Sequence, residues 1–332
     1  MIVAWLQFLA VSLAIVVAGY WLARYGDVIA EKTGLGGTWI GLILVATVTS
    51  LPELVTGISS VTLADVPDIA VGDVLGSCVF NLLLIAVLDF LHRESPIYRK
   101  ASHGHILAGG FSVVLIGLVV FSLLSGDAAA LRFGHVGIYT PAIIVLYFVA
   151  VRAVFVQEKN RSPELHLDLR YPDISLRDAA VRYAVAGGAV VAAGVAMPFA
   201  AETLAREMGW SQSFVGTLLV AAATSLPEAA STIGALRIGA IDLAIGNLFG
   251  SNLFNILVLA IDDIAYLGGP LLSRVSQSHA LSGVSAIIMT GAAIVGLHYR
   301  PVARVFRIVG WVSLALVFTY VLNSLVLYLR GH

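Results

Sequence analysis

Runs of apolar residues alternate with short polar loops along the whole chain, at residues 2–23, 38–63, 67–91, 104–125, 134–156, 179–200, 213–237, 241–267, 279–298 and 303–328. Each run is long enough to cross a hydrocarbon core about 30 Å thick as a helix. The pattern therefore predicts ten transmembrane helices and an all-α polytopic membrane protein. The first run has no basic residue before Arg24 and exceeds a signal-peptide core, so it reads as a retained span. One longer polar stretch, Glu158 to Asp178, contains Pro163 and Pro172 and too few apolar residues for a core. It reads as a linker over 158–178 between a first half, 1–157, and a second, 179–332.

Composition agrees with this setting. The 332 residues are 59% hydrophobic and 12% charged, with a mean hydropathy of +0.95, far from the balance of a water-soluble domain. The formal net charge of −1 conceals an asymmetry. Of the 19 Lys and Arg residues, 15 fall on the face carrying the loops after the odd-numbered helices, and only Arg132, Arg206, Arg274 and Arg330 fall on the other. The positive-inside rule makes the first face cytoplasmic, places both termini outside, and fits a multi-pass protein of the plasma (inner) membrane. The single cysteine, Cys78, has no intramolecular disulfide partner and reads as a small buried hydrophobe.

The two halves repeat one another. With an offset of 175, Gly34, Gly41 and Leu44 meet Gly209, Gly216 and Leu219, and Thr49-Ser50-Leu51-Pro52-Glu53 meets Thr224-Ser225-Leu226-Pro227-Glu228. The offset then becomes 174, and the segment from Asp68 to Asn81 matches that from Asp242 to Asn255. Ser102, His105, Leu107, Gly109 and Gly117 meet Ser276, His279, Leu281, Gly283 and Gly291. A repeat of five helices enters the membrane from opposite sides in its two copies. Two inverted five-helix repeats are the architecture of alternating access to a midplane site.

Candidate chemistry lies where proline interrupts the second and seventh helices. Pro52 and Pro227 donate no backbone hydrogen bond, so the carbonyls of Val48 and Ala223 lose helical partners. At membrane depth such carbonyls need a substitute, and a dehydrated cation is one. Thr49, Ser50, Thr224 and Ser225 add hydroxyls, while Glu53 and Glu228 add charge with no Lys or Arg in the surrounding spans short of Arg237 at the last position of the seventh. This all-oxygen set suits hard cations such as Ca²⁺ and Na⁺. In the third and eighth helices, Asp73, Ser77 and Asn81 share one face, as do Asn247, Ser251 and Asn255. Gly72, Gly76, Gly246 and Gly250 leave room for close helix contact.

The paired TSLPE segments, each followed by G-(D/N)-x-x-G-S-x-x-F-N, resemble the two alpha-repeats of the cation/Ca²⁺ exchanger superfamily. The resemblance spans nearly the whole chain and implies ions bound between helices two, three, seven and eight. It implies ligands at Ala46 (backbone carbonyl), Thr49, Ser50, Glu53, Ser77 and Asn81, and at Ala221 (backbone carbonyl), Thr224, Ser225, Glu228, Ser251 and Asn255. Three departures stand out. Val48 and Ala223 occupy positions that are glycine in many relatives, Asn255 stands where some members have aspartate, and Asp73 differs from its counterpart Asn247. Asp73 reads as a secondary acidic group on an access path, or else as a solvated helix-end residue.

The expected function is secondary antiport of Ca²⁺ against Na⁺, normally extruding Ca²⁺, with an antiporter of H⁺ against Ca²⁺ or another divalent cation as the alternative, and with no cofactor beyond the transported ions. A cation channel would use the same oxygens, but paired broken helices favour a transporter. An intramembrane enzyme is disfavoured because Ser50 and Ser225 have no His or Lys in their helices to act as base. His103 and His105 read as ordinary interfacial residues, with metal binding or pH sensing as the alternative, and Asp262 and Asp263 as solvated groups at the cytoplasm-distal end of the eighth helix, with concentration of cations at the external mouth as the alternative.

Overall fold

A computed structural model of the chain describes residues 1–33, 46–125, 131–159, 173–301, 304–305 and 309–330. Gly34, Gly41 and Leu44 of the repeat alignment, and most of the linker with Pro163 and Pro172, lie outside the described residues. Among the described residues the fold is helical apart from two short antiparallel pairs, Arg132–Phe133 with Val136–Gly137 and Arg304–Val305 with Val309–Gly310.

Among the described residues eight helices are long and apolar enough to cross a membrane. They are α1 (Ile2–Lys32), α3 (Pro67–Leu91), α4 (His105–Leu124), α5 (Tyr139–Lys159), α6 (Leu176–Met208), α8 (Ile241–Ala265), α9 (His279–Tyr299) and α10 (Trp311–Arg330). A further span is a pair of helices, α7a (Gln212–Thr224) and α7b (Leu226–Arg237), bent by 43° at the break between them. The second expected span is described from Ala46 onward, as a helical turn over residues 46–49 followed by α2 (Leu51–Thr62). This is a multi-pass integral membrane protein.

Several limits differ from those expected. Helices α1 and α6 run to 31 and 33 residues and lie along one another. At 1.5 Å per residue they reach roughly 46 and 50 Å, beyond the hydrocarbon core, so their ends emerge or the helices tilt. The last helix starts at Trp311 rather than near residue 303, because the chain first makes the Arg304–Gly310 antiparallel pair.

Burial separates lining helices from central ones. In the spanning windows of α1, α5 and α10 only 28% of residues are buried, and Leu6, Leu9, Leu13 and Val17 on α1 point outward at helical spacing. Such a face is stable only against lipid. The windows of α3 and α8 are 72% and 83% buried, which places these two helices at the centre.

Asp262 and Asp263, expected to be solvated, are enclosed at 1% and 0% exposure. The reason for Asp263 is a set of four donors. Its carboxylate accepts from Gly137 N (2.8 Å), Leu271 N (2.6 Å), Tyr139 Oη (2.6 Å) and Thr140 Oγ1 (2.5 Å), tying the end of α8 to the start of α5. Asp89, its counterpart 174 residues earlier, does the same between α3 and α10 by accepting from Ile97 N, Gly310 N and Ser313 Oγ. Asp263→Ala leaves four donors without an acceptor, each costing about 1–3 kcal/mol when buried. The expected result is a thermal midpoint in detergent lowered by more than 10 °C, and an unchanged midpoint would contradict this role.

His105 is likewise not an ordinary interfacial residue. It is 7% exposed, with Nε2 3.0 Å from Asp242 Oδ1, and Asp242 also accepts from Ser102 N. At the opposite end of the bundle His279 stands 2.8 Å from Asp68 Oδ1, which accepts from Ser276 N. The two clusters consist of corresponding residues, and each ties the start of a central helix, α8 or α3, to the start of α4 or α9. His103 makes an edge contact with the ring of His298.

Candidate ion-binding site

Both broken helices are interrupted at a serine. Ser50 (φ −88°, ψ 12°) and Ser225 (φ −88°, ψ 5°) leave the helical region, and proline follows in the first turn of α2 and of α7b. There its missing N–H is one that a helix start would leave unpaired anyway, so the break is tolerated. Glu53 and Glu228 fall in those first turns, where the helix dipole favours a carboxylate. A π-helical segment, Val215–Val220, precedes the second break, a widening common at functional positions.

The two halves hold each other's glutamate. Ser50 Oγ donates to Glu228 Oε1 at 2.8 Å, and Ser225 Oγ donates to Glu53 Oε1 at 2.9 Å. Ser77 Oγ on α3 stands 2.8 Å from Ser225 Oγ and 3.4 Å from the same Glu53 oxygen. Both glutamates are fully buried, and their second oxygens, Glu53 Oε2 and Glu228 Oε2, have no hydrogen-bond partner. Asn81 Oδ1, Ser251 Oγ and Asn255 Oδ1 are also buried and unpartnered. Orphaned acceptors of this kind are costly in a dry interior unless a cation or proton satisfies them. The donor set fits an oxygen-ligated hard cation. Among the described residues no three His, Cys, Asp or Glu side chains gather to hold a metal, so neutral oxygens must supply most of the ligands.

Other expected ligands are engaged differently. The carbonyls of Ala46 and Ala221 each still accept a helical bond, from Ser50 N (3.2 Å) and Ser225 N (3.1 Å). Thr49 Oγ1 lies 3.2 Å from Ala46 O and Thr224 Oγ1 3.3 Å from Ala221 O. Asn81 Nδ2 donates to Asn252 Oδ1 at 3.0 Å, and Asn252 Nδ2 donates to Cys78 O at 3.2 Å, stitching α3 to α8. Asn252 carries no such signal in the sequence, because it lies off the Asn247-Ser251-Asn255 stripe and matches apolar Cys78. Cys78 itself is a buried free thiol, as expected.

Close helix contact rests on glycine, as expected. A Cβ at Gly76 would collide with the carbonyl and Cα of Thr217 on α7a, and a Cβ at Gly250 would sit 3.1 Å from Ala46 Cβ.

Asp73 and its counterpart part company. Asp73 is fully buried rather than solvated, and Oδ1 accepts from Thr224 Oγ1 at 2.8 Å. Asn247 instead donates to Ser231 Oγ (3.0 Å) and Thr232 Oγ1 (3.2 Å). Beside Asn247 a crevice of about 420 Å³ opens between α1, α7b and α8, lined by Arg24, Asp27, Pro227, Ser231 and Asn247 among others. It reaches Pro227, next to Glu228.

The family model described as sodium/calcium exchanger protein matches residues 3–157 and 179–329. The chain is 28% identical over 246 residues to inner membrane protein YrbG of Escherichia coli (strain K12), covering 70% of each. It is 26% identical over 280 residues to the sodium/calcium exchanger MaX1 of Methanosarcina acetivorans, covering 74% of this chain and 78% of the relative. Among solved structures, the H⁺/Ca²⁺ exchanger CAX superposes with a TM-score of 0.71 at 14% identity, covering 99% of this chain and 86% of that one. At that identity the likeness speaks for the fold alone.

Proposed function

Since the chain belongs to the sodium/calcium exchanger family, a family of membrane antiporters, we propose that it exchanges Ca²⁺ for Na⁺ by alternating access, normally extruding Ca²⁺. The observation that carries this reading is the crossed pair of serine–glutamate hydrogen bonds, which leaves one free oxygen on each of two buried carboxylates. Two negative charges with no basic partner favour loading by one divalent or two monovalent cations before the site reorients. Competition for one set of oxygens then couples the two fluxes. Glu53, Glu228, Ser50, Ser225, Thr49, Thr224, Ser77, Asn81, Ser251 and Asn255 serve as ligands in this reading, with the carbonyls of Ala46 and Ala221.

The same reading treats the molecule as two inverted five-helix repeats, 1–157 and 179–332, joined by a cytoplasmic linker, with both termini outside the inner membrane. The paired Asp89 and Asp263 clusters and the paired His–Asp contacts support it, since corresponding residues make corresponding bonds at opposite ends of the bundle. The crevice beside Asn247 lies toward the cytoplasmic end in this frame, so ions would reach Glu228 from inside.

A second reading has H⁺ as the counter-ion. Asparagine at both positions 81 and 255 favours it, because two glutamates can be neutralised by two protons. Uptake of ⁴⁵Ca²⁺ into proteoliposomes under an imposed Na⁺ gradient, compared with an imposed pH gradient, separates the two. Uptake driven by neither gradient refutes both. Asn255→Asp adds a third carboxylate to the cage and is expected to lower the KM for Ca²⁺ by about tenfold, equivalent to ~1.4 kcal/mol. An unchanged KM and cation preference would show that position to be passive.

A further inference from the structure

Two buried carboxylates, Asp73 and Asp262, take no part in the crossed glutamate cage. Asp262 lies against Gly57, one turn beyond Glu53 on α2, so closely that a Cβ at position 57 would collide with both of its oxygens. Neither oxygen of Asp262 has a hydrogen-bond partner, and neither does Asp73 Oδ2. Thr56 Oγ1, in the residue before Gly57, is also buried and unpartnered. Asp73 stands within electrostatic reach of both Glu53 and Asp262. Among the described residues neither aspartate belongs to an ion pair.

The second half of the chain shows what this place looks like without charge. The counterparts of Asp73, Gly57 and Asp262 are Asn247, Thr232 and Leu88. There the amide of Asn247 donates to Thr232 Oγ1, a neutral contact that joins the two helices. In the first half the threonine is replaced by glycine, and the vacated space receives a carboxylate from α8. Helix contact therefore does not require the two acids. Buried charge without a partner is expensive and marks an ion path.

Their position fits such a path. Asp262 is three residues from the end of α8 and Asp73 six residues past the start of α3. At 1.5 Å per residue that is roughly 5 and 9 Å from the bundle end that carries Asp68 and His279. Asp73 reaches the cage directly through Thr224. The acids thus line up from that end as Asp262, then Asp73, then Thr224 and Glu53.

We propose that Asp73 and Asp262 form a second station for a hard cation, Na⁺ or Ca²⁺, between the central cage and the outer face. The station has no counterpart on the cytoplasmic side, where Asn247 and Leu88 stand. It draws cations from the outer face and passes them to the cage across the shared Thr224. The proposal goes beyond the antiport reading and rests on it for the flux measurement and for which end of the bundle is the outer face.

The test has two arms, both in the full chain. In proteoliposomes with the protein in a single orientation, Asp262→Asn is expected to raise the KM for ⁴⁵Ca²⁺ presented at the outer face about tenfold. The KM at the cytoplasmic face should change less than twofold. Equal changes at both faces, or none, with an active wild type would overturn the station. In the second arm, Ca²⁺ binding to the Glu53→Gln/Glu228→Gln double variant is followed by calorimetry. One weak site should remain and disappear on adding Asp262→Asn; a double variant that binds no Ca²⁺ overturns the proposal. A wild type without exchange under either gradient refutes the antiport reading, while the calorimetric arm still decides the station.

Discussion

Replacing either Glu53 or Glu228 by glutamine is expected to reduce Ca²⁺ exchange in proteoliposomes at least 100-fold. Glutamine keeps the size of the side chain and can still accept from Ser225 or Ser50 at its carbonyl oxygen. What it removes is one of two charges in a site whose other donors are neutral hydroxyls, amides and carbonyls. A divalent ion would then meet a single carboxylate in a dry interior. A hundredfold corresponds to ~2.7 kcal/mol, modest beside the cost of burying an uncompensated charge. The variants should remain folded, with thermal midpoints no lower than wild type, because removing unpaired charge relieves a penalty. Normal ⁴⁵Ca²⁺ flux in both folded variants would dismiss the two glutamates as ligands.

Gly76→Val is expected to lose stability and exchange together. The added Cβ meets the carbonyl and Cα of Thr217 and the methyl of Ala221, and two of those three atoms are backbone. No rotamer relieves a backbone collision, so α3 must move off α7a. The cost is at least ~3 kcal/mol, the upper end of ordinary overpacking. Since this contact joins the helix of Ser77 to that of Thr224, exchange should be lost with stability. Size-exclusion chromatography and thermal melting in detergent read the outcome. Gly117→Ala is the control: a Cβ there meets nothing within 4 Å, and the helical position should gain a few tenths of a kcal/mol or stay neutral. Wild-type behaviour of Gly76→Val would show that the two helices have slack.

The residues that bond along their own stretch of chain were legible in advance. The paired TSLPE segments announced both helix breaks, because proline acts on its own turn whatever surrounds it. The stripe of Ser77 and Asn81 announced the inner face of α3, because helical spacing is local. Residues whose roles depend on a distant segment were not legible. Asp263 looked solvated at the end of an apolar run, yet its four donors come from Gly137, Tyr139, Thr140 and Leu271. Asp262 beside it found a niche only because Gly57, two hundred residues away, lacks a side chain. His105 gave no sign of Asp242, although the matching His279 and Asp68 show in hindsight that four polar residues recur at one offset. The start of α10 is hidden for another reason: hydropathy counts Val305 and Val309 as apolar whether they coil or pair as strands.

Cys78 gives the protein a built-in reporter. Its sulfur is enclosed between α3 and α8, 3.9 Å from the carbonyl oxygen of Asn252, at the seam where the two halves meet. With no second thiol in the sequence, any reaction with a thiol reagent is a reaction at this seam. The labelling rate in native membranes thus measures how often the seam opens, and ions that clamp the cage shut should slow it. Cysteines introduced on exposed loops would label at once and be read without interference from the native one.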